Sequence, residues 1–387
     1  MTSPLGAVRV LDFTRVLSGP YCTAMLADLG AEVIKIESAA GDDQRHMGAM
    51  RDGISANFEM INRSKRSLRL DLKAPEAREI IDALVPHCDV VVENFRPGVA
   101  ERLGLGAARL RAENPGLVYA SISGFGQAGP FADLPAYDLV VQAMSGLMDA
   151  TGEEGGAPLR AGESLGDVVA GLYAGWAILA ALVARGRTGQ GAVLDVAMFD
   201  ALFALLPTSH ALHLYAGRKV TRVGNRHPLS TPFGAYRTAD GHAIIAVLGK
   251  RQFDALCALA GAEGAAEDPR FATDADRTAH EPQIRAMIEA WTGTRATEAV
   301  IAALRGAGIP TAPILTLAEA AATPHAQERG LVDALEHHRL GSAPVVGQPV
   351  RFDGAKPVAA AGAPALGADT EATLARLGLT RAQIAGL

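Results

Sequence analysis

Short apolar runs alternate with amphipathic stretches through the first third of the chain. Residues 8–13 (Val-Arg-Val-Leu-Asp-Phe) and 32–37 (Glu-Val-Ile-Lys-Ile-Glu) are rich in β-branched side chains, which predicts strands. Between them, residues 20–29 carry apolar positions at helical spacing and stop at Gly30. Strand, helix and strand in that order make a βαβ unit. The alternation continues with a strand over 67–72, a helix from Pro75 to Val85 and a strand from Asp89 to Glu93. A helix over about 98–112 and a strand from Leu117 to Ser123 follow. The pattern predicts an α/β protein with a Rossmann-like, doubly wound and mostly parallel sheet. Such a sheet takes its ligand beyond the carboxyl ends of its strands. The first turn reads Ser18-Gly19-Pro20 and lacks a GxGxxG, so a nicotinamide enzyme is not expected.

From Val168 to Ala184 there is no charged side chain. The stretch is rich in Gly and Ala and is read as a buried helix with close neighbours, not a membrane span. A short strand from Ala192 to Val196 and a long apolar helix from about Ala197 to Ala216 come next. Then the texture changes. Residues 225–232 are polar and hold Pro228 and Pro232, and Thr238-Ala239-Asp240-Gly241 marks a hairpin between 233–236 and 243–247. Helical patterns run on to Gly308. The expected organisation is a large Rossmann-like domain over 1–224, a smaller α+β domain over 225–325, and a segment 326–387 that returns to the first. Residues 354–367, full of Ala, Gly and Pro, read as a loop.

Composition narrows the function. The chain has 387 residues, 49% hydrophobic and 20% charged, enough for a large core. A net charge of −6 argues against a nucleic-acid binder. Cys22, Cys88 and Cys257 are too scattered for a disulfide framework or zinc site, and no metal is expected. His337-His338 lacks partners at metal spacing. No basic region followed by an apolar run opens the sequence, and the protein is read as cytoplasmic.

Asp167 is the residue that suggests chemistry. It stands in Gly162-Glu163-Ser164-Leu165-Gly166-Asp167, at the head of the uncharged stretch. A carboxylate there is either an N-cap or a functional group kept anionic by the helix amides. Gly166 beside it leaves room for a partner to approach the backbone. Lys65, Arg66, Arg69, Lys73, Arg96 and Arg102 fall near predicted strand ends or turns, either as a solvated surface or as a site for a phosphate-bearing ligand. Asn94-Phe95 ends a buried strand. Tyr137 follows a Pro/Gly-rich loop and could donate a hydrogen bond to a carbonyl oxygen; an ordinary tyrosine is a poor general base. His227 and Arg226 together could meet a carboxylate. No GxSxG, P-loop or HExxH is present.

Several motifs in register resemble the class III CoA-transferases. They are residues 10–20 (Val-Leu-Asp-Phe-Thr-Arg-Val-Leu-Ser-Gly-Pro), 29–37, Asn62-Arg63-Ser64-Lys65-Arg66-Ser67 with Leu70-Asp71-Leu72-Lys73, residues 92–98, residues 123–130, Tyr137-Asp138 through Gly152, and Gly166-Asp167. The resemblance implies an interlocked homodimer and no prosthetic group, with acyl-CoA as a substrate. It implies that Asp167 is the nucleophile. It places CoA near Val16, Leu17, Ser18, Leu72, Lys73, Asn94, Phe95, Arg102 and Tyr137, with Arg96 added from the basic set. The sequence is similar to the branch that moves CoA, with succinyl-CoA as a common donor, to dicarboxylates such as itaconate, mesaconate, glutarate, malate or citramalate. Arg45, Arg226 and His227 are then candidates for the distal carboxylate. The consecutive glycines of formyl-CoA:oxalate transferases have no counterpart between Gly224 and Gly241, and Ser38 replaces a basic CoA contact of those enzymes. The related α-methylacyl-CoA racemases carry a histidine where Tyr137 stands. A 2-methylacyl-CoA racemase is the alternative reading, and a non-catalytic CoA-binding protein a further one.

Overall fold

A computed structural model describes residues 3–357 and 359–376. Six strands form one sheet: β1 (Arg9–Asp12), β2 (Glu32–Glu37), β3 (Arg66–Arg69), β4 (Val90–Glu93), β5 (Val118–Ser123) and β6 (Val193–Ala197). Their order is β3-β2-β1-β4-β5-β6, and every neighbouring pair is parallel. The order reverses between β1 and β4, so the loops leaving those two strands diverge and open a crevice.

Both faces of the sheet are covered, which is why its strands read as near-continuous apolar runs. Val10, Val33, Val90, Val92 and Val118 point into one core, shared with Leu26 of helix α1 (Ser18–Asp28). Leu11, Ile34, Leu68, Val91 and Tyr119, one residue out of phase, enter a second core. Helix α2 (Pro75–Leu84) contributes Ile80, Ile81 and Leu84 there, and α3 (Ala107–Glu113) contributes Leu110.

Two expected helices are broken. The one over 98–112 is split into Val99–Arg102 and Ala107–Glu113, with Gly104 left-handed at φ +71° between them. The one over 197–216 stops at Met198–Ala204; Pro207 opens a new turn, Pro207–His210, followed by a π-helical turn, Ala211–Tyr215. A proline has no N–H to continue the ladder and disfavours helix in the residue before it.

Helix α5 (Leu165–Thr188) is preceded by the short α4 (Asp138–Met144). It ends on Gly189 at φ +70°, a left-handed C-terminal cap. Its inner face, including Val169, Ala170, Ala174 and Ile178, joins the first core. Its outer face carries exposed Leu172, Tyr173, Trp176 and Val183. The expectation of a buried helix therefore holds for one side only. It is long and apolar enough to cross a membrane by length and composition.

The chain divides into two compact units. One comprises residues 1–148, 160–216 and 324–387; the other comprises Asp149–Leu159 and Gly217–Thr323. The short piece Asp149–Leu159 carries no sequence signal that would separate it from its flanks. The second unit has its own three-stranded antiparallel sheet and a core around Tyr236, Ile245, Phe253, Ile284 and Trp291. Its hairpin turns through residues 238–241, pairing Arg237 with His242.

Candidate active site

The crevice at the sheet's reversal holds a cavity of about 260 Å³. Loops after β1, β4 and β5 form its wall, together with the first turn of α5. Of the residues singled out from sequence, Val16, Ser18, Asn94, Phe95, Arg96, Tyr137 and Asp167 all line it. They come from four separate stretches of chain.

Asp167 is not the N-cap of α5. Ser164 precedes the helix without a side-chain capping bond. The cap is supplied by Asp138, whose Oδ1 accepts the Gly166 N–H at 2.8 Å. The Gln142 side-chain amide holds the other Asp138 oxygen at 2.8 Å. Asp167 is left free to face the cavity. There the hydroxyl and the backbone N–H of Ser18 are near enough to its carboxylate to favour the charged form. Burial pushes its pKa up to about 6; the nearby Asp138 charge adds to this, and Ser18 opposes both. At pH 7 the carboxylate is still ionised about ten to one.

Two glycines make this approach possible. A Cβ on Gly171 would lie 2.7 Å from the Ser18 carbonyl oxygen, so α5 crosses α1 at a distance only glycine allows. A Cβ on Gly166 would strike Val141 at 2.6 Å. The space beside Gly166 therefore serves the packing of α4, not the entry of a ligand.

The loop after β1 is held by an unusual set of contacts. Val16 is left-handed at φ +66°, a rare state for a β-branched residue. Its N–H donates to Asp42 Oδ1 at 3.0 Å. Asn94 stitches the same loop to β4: its Oδ1 accepts the Arg15 N–H at 2.9 Å and its Nδ2 donates to the Arg15 carbonyl at 2.8 Å. Beneath the loop lies a fully buried ion-pair network. Lys35 Nζ meets Asp42 at 2.8 Å and donates to the Thr14 carbonyl at 2.7 Å. Lys65 Nζ meets Asp12 at 3.0 Å. Desolvation brings the Lys65 pKa down to about 8.

The other expected contacts are distributed elsewhere. Leu17, Leu72, Lys73 and Arg102 are not among the residues lining the cavity. Lys65 belongs to the core and Arg66 pairs with Glu32, so neither belongs to a free basic surface. Arg96, Arg69, Lys73 and Arg102 form no ion pair among the described residues. Arg45 is committed: Nε and Nη2 grip Glu37 at 2.7 and 2.8 Å, and the guanidinium lies 3.8 Å from the Phe58 ring centre. Arg226 and His227 belong to the second unit. There Arg226 pairs with Glu154 and Glu281, and the His227 Nδ1 accepts the Leu229 N–H at 3.2 Å.

One functional candidate was missed by sequence reasoning. Glu93, at the end of β4, is almost wholly buried, and its carboxyl accepts the Phe95 N–H at 2.8 Å. Burial pushes its pKa up to about 7. The signal was present: a carboxylate closing the run Val90-Val91-Val92. Among the described residues no cluster of His, Cys, Asp and Glu could hold a metal ion.

Residues 5–370 match the sequence model described as CoA-transferase family III. The chain belongs to that family. As a family III CoA-transferase it is 41% identical to an acetyl-CoA:oxalate CoA-transferase of Acetobacter aceti, over 91% of this chain and 90% of the relative. It is also 41% identical to a succinate–glutarate CoA-transferase of Agrobacterium fabrum, over 86% and 85%. Its fold matches the crystal structure of a CAIB/BAIF family protein from Brucella suis with a TM-score of 0.87 and 37% identity, covering 97% of this chain and all of that one.

Proposed function

We propose that this CoA-transferase moves CoA from an acyl-CoA, with succinyl-CoA as the favoured donor, to a small dicarboxylic acid through covalent bonds to Asp167. The observation that carries the reading is the placement of Asp167: an ionisable carboxylate at the wall of the switch-point cavity, released from capping by Asp138. The names of the Agrobacterium and Acetobacter relatives support a dicarboxylate as the acceptor class.

A carboxylate needs no base to attack a thioester carbonyl. Asp167 adds to the donor acyl carbon and CoA leaves as its thiolate, giving an aspartyl–acyl mixed anhydride. The thiolate then attacks the Asp167 carbonyl carbon of the anhydride. This frees the donor acid and leaves an aspartyl-CoA thioester. The acceptor carboxylate attacks that thioester and expels the thiolate, forming a second anhydride. The thiolate finally attacks the acceptor carbonyl, which releases the new acyl-CoA and restores the Asp167 carboxylate. Thioester energy is conserved throughout, so the cycle consumes no nucleotide.

Ser18 suits two roles in this scheme. Its N–H and hydroxyl, which favour the charged form of Asp167, can orient the resting carboxylate and hold an oxyanion developing on the Asp167 carbonyl. A cavity of this size takes a small acid and the reacting thioester, and leaves the nucleotide end of CoA outside. The unpaired Arg96, Arg69, Lys73 and Arg102 are suited to its phosphates. The exposed apolar face of α5, with Trp176 at 68% exposure, suits a homodimer in which a second copy covers it. All three cysteines are free and buried, in keeping with a cytoplasmic enzyme.

The test is to incubate the protein with succinyl-CoA and a panel of dicarboxylic acids, following new CoA esters by mass spectrometry. Exchange is expected from the parent and none from Asp167→Ala. An alanine variant that exchanges at the parent rate, or a CoA adduct mapped to a peptide without Asp167, would reject the mechanism.

A further inference from the structure

The cavity wall carries two cations, Arg15 and Arg96, and two acids besides the buried Glu93 behind it, Asp43 and Asp167. Arg15 differs from every arginine so far weighed for substrate binding. Arg45 is spent on Glu37, and Arg226 belongs to the other unit and is already paired. Arg15 is fixed at its base and loose at its tip. Asn94 clamps its N–H and carbonyl together, and the left-handed Val16 turns the chain immediately after it. Among the described residues the guanidinium pairs only with Asp43, at 3.4 Å, with the two side chains 61% and 57% exposed. A pair so long and so exposed is weak and is readily exchanged for another carboxylate. Asp43 thus marks a place on the cavity wall where a carboxylate sits against Arg15.

We propose that Arg15 binds the distal carboxylate of the diacid, displacing Asp43, and that this exchange selects diacids over monoacids. The proposal rests on the transferase reading above and names the residue that chooses its acid. Charge accounting favours the exchange over a bare cation. With no diacid present, Asp43 neutralises Arg15, so Arg15 adds no net positive charge to the cavity around Asp167. A diacid supplies its own counter-ion and releases Asp43 to water. A monoacid has nothing to offer in exchange and forgoes the contact. Arg96, lacking any ion pair among the described residues, remains for the fixed anionic groups of CoA.

The experiment compares carbon-13-labelled succinate with labelled butyrate, acids of equal chain length, as acceptors from unlabelled succinyl-CoA, so that each transfer is read as a labelled CoA ester. In a ping-pong cycle kcat/KM for the acceptor does not depend on the donor half-reaction. The parent is expected to prefer succinate, and Arg15→Ala to reduce the succinate-to-butyrate ratio at least 50-fold. Arg15→Lys keeps the charge but not the fork, and is expected to recover part of that ratio. Asp43→Asn removes the competing carboxylate and is expected to lower KM for succinate several-fold. An unchanged ratio in Arg15→Ala, or an equal fall for both acids, would overturn the proposal. Exchange with no acid of the dicarboxylate panel by the parent would instead reject the transferase reading on which it stands.

Discussion

Asp138 and Asp167 divide between them two tasks that one aspartate at a helix start commonly performs alone. Asp138 caps α5 through the Gly166 N–H, and Asp167, one residue further on, faces the cavity. The division also couples them, because the Asp138 charge is one of the causes that raise the Asp167 pKa. Activity through Asp167 requires its ionised form, so kcat/KM should fall as pH drops through about 6. Asp138→Asn retains an oxygen for the cap and removes the charge. Its acid limb should move to lower pH. A pH–rate profile of both proteins checks this, and a limb that stays put or moves up would deny the coupling. Asp138→Ala, which loses the cap, should cost roughly 0.5–2 kcal/mol in denaturant melts.

Gly171→Ala tests whether the helix crossing sets the site. The added methyl would meet the Ser18 carbonyl at 2.7 Å, so α5 must move away from α1. Overpacking of this kind costs on the order of 1–3 kcal/mol. Because Ser18 is proposed to orient Asp167, kcat should fall at least tenfold even where the protein remains folded. Circular dichroism and steady-state rates on the same preparation separate the two effects.

Glu93→Gln should change how stability depends on pH. Unfolded, Glu93 titrates near 4.5; folded, burial holds its proton up to about 7. Between those values the native state binds more protons than the unfolded state, so stability declines as pH rises. The full loss is on the order of 3 kcal/mol. Glutamine cannot titrate and still offers an oxygen to the Phe95 N–H. The difference in unfolding free energy between pH 5 and pH 8 should therefore be smaller in the variant, by about that amount. Equal slopes for the two proteins would count against a protonated Glu93.

Arg45→Ala should behave as a stability mutation. It strips Glu37 of its bidentate partner in a setting where Glu37 is buried, and such losses cost roughly 3–5 kcal/mol. KM for the acceptor acid should stay within about twofold of the parent in the folded fraction, measured below the shifted melting temperature. A large rise in KM with stability intact would restore Arg45 as a carboxylate ligand.

Much of the sheet was legible because its strands are apolar on both faces, as in Val90-Val91-Val92, and because Gly and Pro bound them. Asp167 was legible for the opposite reason, a single charge beside a long stretch without any. What sequence could not reveal is pairing across distance. Lys65 looks like a surface cation until Asp12, 53 residues earlier, is found beside it in the core. Arg45 looks available until the chain turns back on Glu37. The cap on α5 comes from 28 residues upstream, so a local reading left Asp167 itself as one candidate for it. The break at Pro207 was a local signal outweighed by a run of apolar residues around it.

The glycines of α5 carry a consequence for how this chain can change. The same close crossing that fills the hydrophobic interior also brings Ser18 to Asp167, the proposed nucleophile, so no boundary separates residues that sustain the fold from residues proposed to tune the reaction. Variation along α1 and α5 will be felt as altered turnover as readily as altered melting. Divergence toward new acids is free to proceed instead along the rim, at positions such as Asp43, where a change alters acid binding and leaves the helix crossing untouched.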